Sequence, residues 1–190
     1  MSIASPIPVP INAPDSVPEA SSEKRDAFGR RVEVSFESRQ IPPGTPVGDH
    51  WLVAIDGSRH SMHALAMAIR LASESSGCML DLINVQPWLS KEAAESELHG
   101  LGWRACADAC ASLDANRLGW RLHVLMGEPA QCIVAKAKAL GSRGIVIGTR
   151  GLTVTQDLLL GSVAQQVIHT ARGALLIVRT PVNHMENPSG

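Results

Sequence analysis

The sequence predicts an α/β fold: a five-stranded, doubly wound parallel sheet with helices on both faces, preceded by an N-terminal extension. From residue 50 onward, short apolar runs alternate with stretches whose apolar residues recur at helical spacing. The short runs are continuously apolar rather than alternating, as expected of strands covered on both faces. Turn and cap residues separate the two kinds of segment and set their order. Right-handed crossovers leave few arrangements of such strands, and the common one has the order 3-2-1-4-5.

The first strand is Trp51-Leu52-Val53-Ala54-Ile55, and Asp56-Gly57-Ser58 turns the chain into a helix. Met62, Leu65, Ala66, Ile69 and Ala72 form that helix's apolar stripe, and Gly77 stops it. The second strand, Met79 to Val85, ends at Gln86-Pro87. Ser90 to Leu118 reads as one long helix, weakened in its middle by Gly100 and Gly102. Trp88 and Trp103 accompany it, with no pattern that places them. Trp120 to Met126 is the third strand; Gly127-Glu128-Pro129 leaves it and opens a helix ending at Gly141. Gly144 to Gly148 is the fourth strand. Ser162 caps a helix running to Arg172, Gly173 ends it, and Ala174 to Arg179 is the fifth strand.

Eight of the twelve prolines lie within the first 46 residues, which blocks helix and ladder alike. Residues 1–48 therefore read as a proline-rich extension, flexible over 1–27. One short strand is expected at 31–37, where Val32, Val34 and Phe36 alternate with polar neighbours. The folded unit is expected over 49–182, and 183–190 is a polar tail.

The formal net charge is -1, from 17 basic and 18 acidic residues, so long-range attraction to nucleic acid or a membrane surface is absent. Aromatic residues make up 3% with no tyrosine, which argues against a base-stacking platform. No apolar run reaches the ~18 residues of a membrane span, and Met1 to Pro10 lacks the pattern of a secretory signal. A cytoplasmic protein is expected. Its cysteines, Cys78, Cys106, Cys110 and Cys132, form no CxxC pair and read as free thiols.

In a 3-2-1-4-5 sheet, ligands bind at the carboxyl ends of the strands flanking the reversal between strands one and four. Two loops meet there: Asp56-Gly57-Ser58, and the loop that starts at Gly148. In the second, Gly148, Gly151 and Gly161 allow close backbone approach, and Ser162 begins a helix whose free N–H groups favour an anion. The Ser162 hydroxyl adds a donor and Arg150 a nearby cation. The loop is neither a Walker A sequence nor GxGxxG. On spacing alone, a phosphate cradle and ordinary turn and cap residues account for it equally.

Two other clusters have plainer explanations. Asp56, Ser58, His60 and His63 are residue types of hydrolases, but Ser58 suits a helix N-cap and Asp56 a strand end. No catalytic residue is assigned. Cys106 and Cys110, one helical turn apart and preceded by His99, fall short of a four-ligand metal pattern and read as buried apolar residues.

The Gly-x2-Gly-x9-Gly-Ser spacing at Gly148, Gly151, Gly161 and Ser162 resembles the nucleotide-binding signature of the universal stress protein family. Leu52 to Ser58, Ile145 to Gly151 and Leu160 to Ala164 resemble the family's corresponding segments, in the same order, over about residues 50 to 180. The resemblance implies a Rossmann-like fold of the adenine nucleotide alpha hydrolase type that binds ATP, with Mg2+ or Mn2+ accompanying the nucleotide. It places Asp56 on the adenosine and the backbone near Ala54 and Val85 in the adenine slot. Gly148, Arg150, Gly151, Gly161, Ser162 and Val163 would surround ribose and phosphates, and Ile55 and Ile147 complete the set within the same motifs. It further implies a stress-response sensor or adaptor that forms a homodimer through strand 174–180. A slow ATPase or phosphotransferase, and a dimeric interaction module without nucleotide, are the alternatives. The chain departs from the family at Arg143, often acidic, at Ala174, often proline, and in its long extension.

Overall fold

The computed structural model describes residues 17–41, 45, 50–73, 79–149 and 160–180. In chain order its elements are β1 (Ser22–Arg25), β2 (Arg31–Glu37), β3 (Trp51–Ala54), α1 (Arg59–Ser73), β4 (Met79–Gln86) and α2 (Lys91–Ser96). There follow α3 (Leu98–Ala115), β5 (Gly119–Met126), α4 (Pro129–Leu140), β6 (Gly144–Gly148), α5 (Ser162–Thr170) and β7 (Ala174–Val178). The sheet has the order β1-β2-β5-β4-β3-β6-β7. Its five strands from β5 to β7 are mutually parallel and reproduce the order 3-2-1-4-5.

The expectation of a five-stranded, wholly parallel sheet needs correction, because β1 and β2 add two antiparallel strands to the free edge of β5. Val34 and Phe36 carry this addition: both are 1% exposed and sit in the core with α3. The Phe36 ring lies 5.1 Å from His99 and 5.5 Å from Trp103, both on α3. Strand β1 falls within the stretch read as a flexible arm. Its residues, Ser-Glu-Lys-Arg, are all exposed, so no apolar pattern announced it. Backbone pairing to β2 holds it, with ion pairs from Lys24 to Glu33, Arg25 to Glu95 and Arg31 to Glu23.

The central parallel strands are buried on both faces, which is why β3 and β6 are continuously apolar and β4 and β5 mostly so. Val53, Leu82, Leu65 and Leu113 belong to the core under α1 and α3. Leu52, Ile83, Ile133, Ile145 and Val167 form the other, under α4 and α5. The expected single helix 90–118 is two helices. Ser90 Oγ caps α2 by accepting from Ala93 N at 3.1 Å, and the chain bends at Glu97 before α3. Gly102 does more than weaken α3: a Cβ there would lie 2.3 Å from Val124 Cγ1, so the helix rests on β5 at that point.

A cluster of polar side chains is buried where β2 meets α4. Glu33, 8% exposed, pairs with Lys136, 7% exposed. Burial raises the Glu33 carboxyl, but bonds to His123 and Lys136 outweigh it and hold the group far below the ordinary 4.5. Further along, Asp81 is fully buried between His50 Nδ1 and His123 Nε2, each at 3.6 Å.

A depressed carboxyl contributes stability that is complete above its unfolded value and is lost as pH falls below it. Glu33→Gln is therefore expected to destabilise the protein by about 3 kcal/mol near neutral pH, since it leaves the Lys136 ammonium buried without its partner. The deficit should shrink as pH falls below about 4, because the unfolded wild-type chain then takes up a proton at Glu33 that the folded protein, with its depressed carboxyl, does not. Urea denaturation at both pH values checks this; equal stability of variant and wild type at neutral pH would show that the pair contributes nothing.

Candidate functional site

At the carboxyl end of β3 the chain makes two consecutive caps. Asp56 Oδ1 accepts from Ser58 N at 2.9 Å, and Ser58 Oγ accepts from Ser61 N at 3.1 Å, closing the first turn of α1. Ser58 is thus a helix cap, as its position in the sequence suggested, and only 6% exposed. His60 Nδ1 is bonded to Thr180 Oγ1, beyond the end of β7.

The carboxyl end of β6 lies directly against that helix. A Cβ on Gly148 would stand 2.7 Å from the carbonyl carbon and oxygen of His60. Glycine is required here to admit α1, a different reason from the close approach to an anion read from the sequence. Beyond it, Thr149 N donates to Val178 O at 3.0 Å, and Gly161 N donates to Thr149 O at 2.7 Å. The exit of β6, the end of β7 and the entry to α5 are pinned together. The N-cap of α5 is Gly161, in extended conformation, and Ser162 is the first helical residue. The helix ends at Thr170, with Ala171 extended, three residues before the expected stop at Gly173. Arg150 and Gly151 lie outside the described residues, as does Cys78.

These ends enclose a cavity of about 370 Å3. Nine of the eleven anticipated residues line it: Ala54, Ile55, Asp56, Val85, Ile147, Gly148, Gly161, Ser162 and Val163. Sequence reasoning missed Ser61, Ile83, Asn84, Gln86, Pro87, Pro129, Ile133, Thr149 and Ala164. The rule that selected the carboxyl ends of β3 and β6 also applies to β4, and would have drawn in Asn84, Gln86 and Pro87. Ile83, Ile133, Ile147 and Ala164 make much of the wall apolar. Asp56, Ser61, Asn84, Gln86, Thr149 and Ser162 supply polar groups, and among the described residues no Lys, Arg or His lines the cavity. The first residues of α5, whose N–H groups have no partner within the helix, border it at Ser162 and Val163.

The remaining candidates stay apart from it. Cys106 and Cys110 are buried in α3, where desolvation pushes both thiols up and leaves them unreactive. Trp103 packs between Phe36 and Trp120. Trp88 is 58% exposed and carries the Arg30 guanidinium 4.9 Å above its ring.

The model of the universal stress protein family matches residues 49–179, the parallel strands and every helix between them. The chain belongs to that family. This universal stress protein is 33% identical over 138 residues to the universal stress protein Rv2005c of Mycobacterium tuberculosis, across 67% of this chain and 44% of that protein. It spans less than half the length of that relative. It is 31% identical over 138 residues to the universal stress protein MJ0531 of Methanocaldococcus jannaschii, covering 68% of this chain and 81% of the relative. Its fold resembles a universal stress protein in complex with cAMP, with TM-score 0.57, 23% identity and coverage of 72% and 100%. It also resembles the universal stress protein of Archaeoglobus fulgidus in complex with dAMP, with TM-score 0.54, 21% identity and coverage of 69% and 98%.

The crowding at Gly148 separates a packing role from a ligand role. Gly148→Ala is expected to lower stability by about 2 kcal/mol through displacement of α1, or roughly 4–8 °C in melting temperature, with no nucleotide present. A thermal scan of the ligand-free protein reads this, and an unchanged midpoint would mean that α1 yields without cost.

Proposed function

We propose that this universal stress protein binds an adenine nucleotide, foremost ATP, in the cavity at the carboxyl ends of β3, β4 and β6. It would act as a stress-response sensor or adaptor rather than as a fast enzyme. One observation carries the reading: a partly apolar slot bounded by Ala54, Ile83 and Val85 is continuous with the start of α5 at Gly161, Ser162 and Val163. A base fits the first part and an anion the second. The related folds in complex with dAMP and cAMP support the same reading.

Arg150 and Gly151 belong to the proposed phosphate loop by their place in the signature. A Mg2+ or Mn2+ would be held chiefly by phosphate oxygens and water. Among the described lining residues Asp56 is the one carboxylate, and its Oδ1 already accepts from Ser58. That leaves it poorly suited to activate a water for in-line attack, which favours holding the nucleotide over hydrolysing it. The proposed nucleotide-binding unit spans 49–182, with 1–48 as its extension, 183–190 as its tail and the cytoplasm as its setting. A second copy would pair along strand 174–180, since β7 ends the order of the sheet.

Denaturing the purified protein should release an adenine nucleotide, identified by absorbance and mass, and titration of the emptied protein with ATP should saturate. Gly161→Val should weaken ATP by about tenfold or more with the fold intact, because Gly161 has φ −73 and ψ 156, angles open to valine. Absence of released adenylate together with no heat on adding ATP, ADP or AMP would leave the nucleotide-free dimeric module as the better reading.

A further inference from the structure

The turn of the N-terminal hairpin holds a cation against the chain just beyond the cavity wall. Asp26 Oδ1 accepts from Phe28 N and Arg30 N, each at 2.9 Å. Asp26 Oδ2 accepts from Arg30 Nε and Nη2, each at 3.0 Å. One carboxylate thus fixes both the backbone and the guanidinium plane of Arg30. The remaining nitrogen, Nη1, faces the Leu89 carbonyl at 3.5 Å, and Cζ lies 4.9 Å from the centroid of the Trp88 ring.

Trp88 is 58% exposed, so burial alone does not hold it. Its edge faces the exit of β5, where a Cβ on Gly127 would lie 3.8 Å from Trp88 Cζ2. Gly127 N in turn donates to the Gln86 carbonyl at 3.0 Å. Between Gln86 and Trp88 stands Pro87, and Gln86 and Pro87 both line the cavity. The proline ring fixes φ, so the backbone has little freedom to absorb a shift of Trp88 before it reaches the wall. The hairpin also reaches α2, where Lys91 Nζ donates to the Phe28 carbonyl at 3.0 Å and Glu95 pairs with Arg25. Of these contacts, those of Arg30 adjoin the lining.

We propose that Arg30 is a positioning residue for the nucleotide cavity: through Trp88 it holds the Gln86–Pro87 wall in place, which gives the N-terminal hairpin a share in ligand binding. The inference rests on the nucleotide-binding reading above. Arg30 is not among the lining residues, so its effect on a ligand passes through Trp88. A wall left free to swing must be ordered when a ligand arrives, and that ordering costs affinity; a wall tethered beforehand spares the cost.

Calorimetric titration with ATP tests this. Arg30→Ala should weaken ATP by about fivefold. Arg30→Lys keeps a cation over the ring and should stay within about twofold of wild type. In a Trp88→Ala background, Arg30→Ala should cost nothing further, because the contact through which it acts is already gone. Arg25→Ala removes a hairpin contact remote from the wall, and should leave ATP affinity within about twofold. A general loosening of the hairpin would instead weaken ATP in Arg25→Ala as well, and would make the Arg30 and Trp88 losses multiply. Either of those results, or wild-type affinity in Arg30→Ala, overturns the assignment to Arg30 while the nucleotide site stands. Failure of wild type to bind ATP, ADP or AMP overturns both.

Discussion

The contact between the backbone of His60 and Gly148 is the constraint around which the site is arranged. Strands β3 and β6 are neighbours in the sheet, but α1 leaves β3 on one face while α5 follows β6 on the other. The two connections must part at the carboxyl ends, and the first turn of α1 crosses β6 closely enough to exclude even a methyl group at Gly148. With α1 seated there, the double cap at Asp56 and Ser58 has a fixed position, and so does the carbonyl of Ile55 between them and β3. The cavity is the space left where the two connections diverge.

The N-terminal hairpin is integral to that arrangement. An exposed edge of β5 would invite pairing with other chains; β2 covers it, and the new edge, β1, is short and charged. The hairpin also reaches the walls of the cavity from two sides. Glu33 holds Lys136 on α4, the helix that contributes Pro129 and Ile133 to the lining. At the hairpin's turn, Asp26 gathers the backbone of Phe28 and Arg30, and Arg30 lies over Trp88, next to the lining residue Pro87. Movement of the hairpin would therefore be felt at both α4 and the exit of β4.

The legible part of this structure is the part in which burial dictates residue type. Leu52 and Val53 face opposite cores and are both fully buried, so β3 shows as an unbroken apolar run, and the same holds for β6, while β4 and β5 are mostly apolar but interrupted by Asp81, Asn84, Arg121 and His123. Strand β2 was readable from the alternation ending at Phe36. Strand β1 was not, because ion pairs and backbone bonds leave no periodic trace in Ser-Glu-Lys-Arg. At the site, the loops at Asp56 and Gly148 were visible as strand ends bearing turn residues. Asn84 and Gln86 were hidden by being polar residues inside a strand: their use depends on a carbonyl 29 residues away in sequence, a pairing that only the parallel register of β3 and β4 creates. Gly161 and Ser162 exchanged roles at the helix start because extended backbone at the cap suits either residue.

The balance of groups around the cavity also bears on how it would discriminate among ligands. Among the described residues none that lines the cavity is cationic, and the whole chain is near neutral, so a phosphate would be held here by the N–H groups of a helix start and by Arg150 of the proposed loop. Such groups serve every nucleotide alike, whichever base it carries. Apolar walls such as Ile83, Val85 and Ile133 favour a flat ring but do not distinguish one purine from another. Discrimination must then come from polar groups whose orientation is fixed before the ligand arrives, since a group free to rotate accommodates either partner. Asn84 and Gln86 meet that condition through bonds to the same backbone that shapes the cavity.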